Sequence, residues 1–282
     1  MALRAAVRMG LNYLFIGFCL LATVLAVGSL ALILWSLLQK GMGAFDLDVF
    51  TLATPAAGSK GGLANAIVGS ILMCALAMFG ALVIGLLAGT YLSEFGGKSP
   101  FAQTVRFLND VLLSAPSILV GLFVYYILVK GGLHHFSGYA GAAALGLLAL
   151  PVVIRTTEDI LSLQPQALRE AGSALGAPDW VVVRKIVWGS AGGGLLTGGL
   201  LAFARISGET APLLFTSLGN QFFSLDMSHP VSSLPTVIFQ FALSAYDDWR
   251  RLAWAGALII AISVLVINVL GRILISARLT RS

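Results

Sequence analysis

Residues 9–39 read Met9-Gly-Leu-Asn-Tyr-Leu-Phe-Ile-Gly-Phe-Cys-Leu-Leu-Ala-Thr-Val-Leu-Ala-Val-Gly-Ser-Leu-Ala-Leu-Ile-Leu-Trp-Ser-Leu-Leu-Gln39, 31 residues without a charge. About 20 apolar residues in a helix cross a ~30 Å hydrocarbon core. The stretch is long enough to span, and it exceeds the roughly 7–15 residues of a secretory signal's apolar region. It is expected to stay as a membrane helix. Five more charge-free windows of at least 19 residues follow, at 61–93, 111–129, 131–154, 186–204 and 252–271. The whole chain of 282 residues is 58% hydrophobic and 10% charged, with mean hydropathy +0.95. A water-soluble enzyme is excluded. The expected fold is an all-α membrane protein with six transmembrane helices.

A seventh charge-free window, Met227 to Tyr246, holds four serines, His229, Pro230 and Pro235. A lipid-facing helix tolerates these poorly because freed backbone groups find no partner there. It reads as an outer loop or a half-inserted segment.

The net charge of +5 does not point to nucleic acid, because no basic stripe with interleaved aromatics is present. The positive residues follow the membrane. With both termini in the cytoplasm, the inner segments hold Arg4, Arg8, Lys98, Arg106, Arg155, Arg169, Arg184, Lys185, Arg272, Arg278 and Arg281. The outer ones hold Lys40, Lys60, Lys130, Arg250 and Arg251. Eleven against five favours a multi-pass protein with cytoplasmic termini. Arg205 belongs to neither set, since it directly follows the fifth window.

Cys19 and Cys74 fall inside expected spans, in no disulfide or zinc-ligand pattern, and read as small apolar residues. Gly85 and Gly89 in the second span, and Gly189, Gly193, Gly194 and Gly198 in the fifth, include small-xxx-small spacings that let helices approach closely. Pro116, within Ser114-Ala-Pro-Ser117, is expected to kink the third span or set its first turn. His134 and His135 lie in the short loop after it, with no catalytic role, and no residues are assigned to catalysis or to a metal.

From Arg155 to Lys185 the chain leaves the membrane on the inner side for about thirty residues, long for a plain connection. Pro165 opens a helix, Gln166-Ala-Leu-Arg-Glu-Ala171 favours one, and Gly176 suits the left-handed position that ends it. Pro178-Asp179 starts a second helix that leads into the fifth span. A helical pair protruding into the cytoplasm is what a soluble partner needs to push on a membrane protein.

Glu170-Ala171-Gly172, then Gly176, then nine residues to Ile186, resembles the EAA signature of ABC importer permeases: E-A-A, three residues, G, nine residues, I-x-L-P. Gly172 replaces the second alanine, and Trp188-Gly189 replaces Leu-Pro. Leu201-Ala-Phe-Ala-Arg-Ile-Ser-Gly-Glu-Thr-Ala-Pro-Leu-Leu-Phe215 and Leu150-Pro-Val-Val-Ile-Arg-Thr-Thr-Glu158 are similar to the A-type (PstA-type) permeases of phosphate-specific ABC importers. The resemblance covers the last five spans. It implies the type I ABC importer permease fold: a tail and first helix at 1–40, an outer loop at 41–62, a five-helix domain at 63–275 with a coupling loop at 155–185, and an inner tail at 276–282. It further implies a heterodimer with a related permease, two ATPase subunits, an extracytoplasmic phosphate-binding protein, and location in the cell (inner) membrane. By the same resemblance the helix at Glu170, Ala171 and Gly176 is the element that docks on the ATPase. The chain has no G-x-x-x-x-G-K-[ST] to cradle nucleotide. It binds no cofactor itself; ATP and magnesium belong to the partner ATPase.

Arg205 and Glu209 are four residues apart, neighbours one turn apart if on one helix. A charge at membrane depth costs at least about 2.5 kcal/mol and marks a bundle interior or aqueous path. Arg155 follows the fourth span, with Glu158 and Asp159 as available partners. Arginine suits phosphate because its planar fork donates two parallel hydrogen bonds and stays charged. Arg205 and Arg155 are therefore expected as stations for a phosphate dianion, with Glu209 holding Arg205 or exchanging a hydrogen bond with protonated phosphate. Three other readings stay open: a permease for phosphonate, molybdate or sulfate; a proton-coupled secondary transporter using Arg205, Glu209 and Asp110; and a membrane protease, opposed by histidines confined to outer loops.

Overall fold

The computed structural model describes residues 2–279, with side chains described for residues 8–274. Arg4, Arg278 and Arg281, counted above on the inner side, have side chains outside the described residues. Every regular element among the described residues is a helix. Five helices are long and apolar enough to cross a membrane: Arg8–Met42, Ala64–Gly96, Gly138–Ser162, Asp179–Ser207 and Asp247–Leu274. The pair Pro100–Ser114 and Ser117–Leu133, bent by 107°, makes a sixth if taken as one span.

In chain order these are α1 (Ala2–Met42), the short α2 (Asp48–Thr51), and α3 (Ala64–Thr90), which ends in a π-helical turn, Tyr91–Gly96. Next come α4 (Pro100–Ser114) and α5 (Ser117–Val124), the latter continued by a π-helical stretch, Tyr125–Leu133. After α6 (Gly138–Ser162) and α7 (Gln166–Ala174), α8 (Asp179–Val181) runs through π-helical Val182–Val187 into α9 (Trp188–Ser207). Then follow α10 (Ala211–Thr216), α11 (Leu234–Ala242) and α12 (Asp247–Leu279).

The core forms where α6 lies between α3 and α9. Small residues set these distances, because side-chain packing rather than lipid avoidance drives helix association in a membrane. A Cβ on Gly85 would lie 2.7 Å from Val153, and one on Gly89 would lie 2.6 Å from Thr157. On α9, Gly198 abuts Thr156 and Gly194 abuts Ile160, whereas Gly189 faces open space. Met73, Leu145, Leu148, Ile206 and Leu213 fill the centre of the main core.

The loops sort to two ends. At one end, expected from the arginine distribution to be the inner one, lie the 163–187 segment and the π turn after α3. At the other, the outer end, Asn65 joins two segments. Its Oδ1 accepts from the Thr54 N–H at 3.0 Å, and its Nδ2 donates to Thr54 Oγ1 at 3.0 Å and to the Asn220 carbonyl at 2.7 Å.

The expected third span, 111–129, is not one straight helix. Residues 111–114 finish α4, and the chain turns at Ala115, whose extended conformation (φ −68°, ψ 134°) is the one a following proline favours. Pro116 then caps α5. Both outcomes expected of Pro116, a bend and a first turn, occur together. On α4, Asn109 is buried while Phe101, Phe107 and Leu108 are exposed, so its apolar face looks outward toward lipid or a neighbouring subunit.

The 227–246 window contains α11, nine residues long and opened by a capping box between Ser233 and Thr236. At 1.5 Å per residue it is too short to cross. Leu234, Val237 and Phe241 pack against Leu63 and α12 residues. The window thus carries a short packed helix rather than a span. α1 meets α12 near its outer end, where a Cβ on Gly41 would touch Leu258; its 18-residue apolar window is unburied.

Candidate functional site

The inner-end protrusion is built as its residues suggest. Pro165, extended at φ −56° and ψ 136°, caps α7. Gly176 takes φ +76°, its N–H donates to Ser173 O, and the Ala177 N–H donates to Gly172 O at 3.3 Å. That pair of bonds is a Schellman stop, which an L-side chain at Gly176 would strain. Asp179 then places an acid in the first turn of the next helix, where the helix dipole favours it.

Glu170, Ala171 and Gly176 are exposed. Leu163 and Leu175, outside the candidate spans, are 79% and 87% exposed, and Trp180, at the start of the helix Asp179–Ser207, is 62% exposed, an apolar surface that water alone does not favour. The buried face is Gly172, where a Cβ would lie 2.7 Å from Ile186 and 2.9 Å from Val182. The glycine that departs from the EAA pattern thus lets α7 settle on the π-helical elbow below it.

Arg169 fixes α7 in place. Its Nε donates to Glu94 Oε2 at 2.8 Å and its Nη2 to Glu94 Oε1 at 2.6 Å, while Nη1 and Nη2 reach the Gln164 and Leu161 carbonyls. The Glu94 side chain is 6% exposed. Hydrogen bonding to that carboxylate raises the Arg169 pKa above its ordinary value.

Within the bundle, Arg205 occupies the last turn of α9, where a cation complements the helix dipole. The next residue, Ile206, is 1% exposed in the core with Leu145 and Leu148, and Arg205 lies two residues before the end of the helix Asp179–Ser207, which is long and apolar enough to cross a membrane. Its side chain is exposed, and among the described residues it has no ion pair. Glu209 does not share its helix, contrary to the expectation of neighbours one turn apart. α9 ends at Ser207, Gly208 caps it, and Glu209 lies in the turn before α10, half-buried.

Arg155 is near the inner end. Its Nε donates to Asp159 Oδ2 at 3.1 Å and its Nη1 lies 3.7 Å from Asp110 Oδ1. Glu158, the other expected partner, instead takes Arg106 at 2.6 Å. One turn of helix separates 155 from 159, whereas Glu158 points toward α4.

A family model described as binding-protein-dependent transport system inner membrane component matches residues 81–278, from within α3 through α12. The chain belongs to this family. Among curated relatives, the phosphate transport system permease protein PstA of Haemophilus influenzae is 51% identical over 262 residues, 93% of each chain. Its namesake from Xylella fastidiosa is 50% identical over 242 residues, 85% of this chain and 84% of its own. The probable phosphate transport system permease protein PstA of Methanocaldococcus jannaschii is 36% identical over 248 residues, 88% and 87% of the two chains. A chain of an inward-facing MetNI methionine ABC transporter superposes with TM-score 0.62 at 20% identity, over 74% of this chain and 92% of its own. The fold is that of a type I ABC importer permease. These relatives are transport permeases, not enzymes.

In this inner-membrane component, sequence reasoning missed Glu94 and gave Arg106 and Arg169 only a topological role. Glu94 is the first charge after the second apolar window, which hints at a span end. Its partner lies 75 residues away, and no local spacing reveals that.

Proposed function

We propose that the chain is the permease subunit of an ATP-driven importer of inorganic phosphate, forming half of the translocation path with a related permease. Arg205 carries this reading: a permanently charged fork at membrane depth, exposed and without a protein counter-ion among the described residues, matches a doubly acceptor-rich anion. The phosphate permeases at about half identity support the same substrate. Arg155 is the second station, nearer the inner end, where the anion competes with Asp110 and Asp159. Glu209 accepts a hydrogen bond from the P–OH of hydrogen phosphate, a donor that sulfate lacks near neutral pH.

The α7 surface of Glu170, Ala171 and Gly176, flanked by exposed Leu175 and Trp180, docks into a cytoplasmic ATPase that holds ATP and magnesium. An extracytoplasmic binding protein delivers phosphate to the outer end, and both termini lie in the cytoplasm. Affinity purification of the tagged chain from its native membrane tests the partnership. A phosphate-binding protein, a second permease and an ATPase are expected together; a sulfate, molybdate or phosphonate binding protein in their place contradicts the substrate. ATP-independent uptake abolished by a proton ionophore favours the secondary transporter.

A further inference from the structure

The π turn Tyr91–Gly96 is held from two sides. From α7, Arg169 grips Glu94 with two nitrogens, at 2.6 and 2.8 Å, while its remaining donation closes the α6–α7 elbow on Leu161 and Gln164. From α4, Arg106 donates to the Leu92 carbonyl at 2.8 Å and the Gly97 carbonyl at 2.9 Å, and pairs with Glu158 of α6. Both grips use arginine forks, whose multiple fixed donors resist rotation more than a single ammonium does. The turn itself is π-helical, a register that recurs at functional sites. The second element touching α7, Val182–Val187, is π-helical too.

Beyond α4 the connection continues. The 107° bend leads to α5, and α5 meets α10 so closely that a Cβ on Gly121 would lie 2.5 Å from Pro212 Cα. Pro212 lies three residues after Glu209 and seven after Arg205. A series of contacts thus joins α7 to α10, the helix that follows Arg205 and Glu209 in the chain.

We propose that Glu94 is a positioning residue for energy coupling: through Arg169 it makes α7 drive the π turn, and through Arg106 the π turn drives the α4–α5 elbow, whose α5 packs on α10 just past Glu209. This rests on the permease reading above and names the route by which its ATPase contact reaches the substrate path. Glu94 touches neither ATPase nor phosphate.

The test is the ratio of radiolabelled phosphate accumulated to ATP hydrolysed, in proteoliposomes holding the complete complex with binding protein. Wild-type complex in the same vesicles checks the permease reading independently, because that reading fails if wild type accumulates no phosphate. Glu94→Gln is expected to co-purify with the ATPase, to hydrolyse ATP, and to lower the ratio at least about fivefold, the lower range of typical coupling energies. The exchange Glu94→Arg with Arg169→Glu is expected to recover part of it. Should Glu94→Gln not assemble, Arg169→Lys, which keeps the charge and loses the fork, carries the same test. A ratio equal to wild type in the assembled variant overturns the proposal, including when uptake and hydrolysis fall in parallel, as a purely structural role requires.

Discussion

Arg205 closes α9 and Glu209 lies past its end, so the two charges are hinged about Gly208 rather than locked on one helical face. An arginine so placed keeps its donors available. Replacing Arg205 by Ala is expected to reduce phosphate uptake at least about 100-fold, and Arg205→Lys about tenfold, as loss of a bidentate contact worth a few kcal/mol requires. Glu209→Gln is expected to narrow discrimination between phosphate and sulfate more than it slows uptake. Transport assays with both anions check these; normal uptake in both Arg205→Ala and Glu209→Gln removes the station.

Gly176 carries φ +76° in the stop after α7. Gly176→Val is expected to cost roughly 1–2 kcal/mol locally, the penalty for a side chain in the left-handed region. Because the residue is exposed, the bundle should survive and the docking surface should not. Co-purification with the ATPase should fall, and Glu170→Ala should lower it as well. Unchanged assembly and ATP-driven uptake in both variants contradict the docking role.

Asn65, 4% exposed, ties the segment before α3 to Asn220 and Gln221. Asn65→Ala leaves the buried Thr54 N–H and hydroxyl without this partner, at about 1–3 kcal/mol per unsatisfied group. A lower unfolding temperature of the detergent-solubilised protein is the expected readout, with Asn65→Asp intermediate because only the accepting oxygens remain.

A methyl group at Gly69 would stand 2.0 Å from the Ser232 backbone oxygen. No rotamer relieves a clash with backbone, so Gly69→Ala must push α3 from residues 231–232. Overpacking of this kind costs about 1–3 kcal/mol. Gly189→Ala, which meets open space, serves as the neutral control in the same thermal measurement.

These positions differ in how far the sequence exposes them. The spans were legible because a charge-free apolar run of about 20 residues matches the thickness of a hydrocarbon core, and Gly176 because a left-handed stop has a residue preference. Arg205 stood out for its charge at the edge of such a run. The 107° turn at Pro116 was legible only as a kink, since the angle depends on Arg106 and Asn109 holding α4 against α6. The Glu94–Arg169 pair and the Asn65 clamp were hidden, because partners 75 and 155 residues apart meet only through packing of helices between them. The assumed Arg205–Glu209 helical pair failed because Gly208 ends the helix between them.

The most direct measurement is accumulation of radiolabelled phosphate in proteoliposomes containing this chain, its partner permease, the ATPase with enclosed ATP and magnesium, and external binding protein. The account predicts saturable, ATP-dependent uptake that labelled sulfate does not share and that Arg205→Ala abolishes. Uptake of sulfate in place of phosphate, or phosphate uptake that proceeds without ATP, contradicts it.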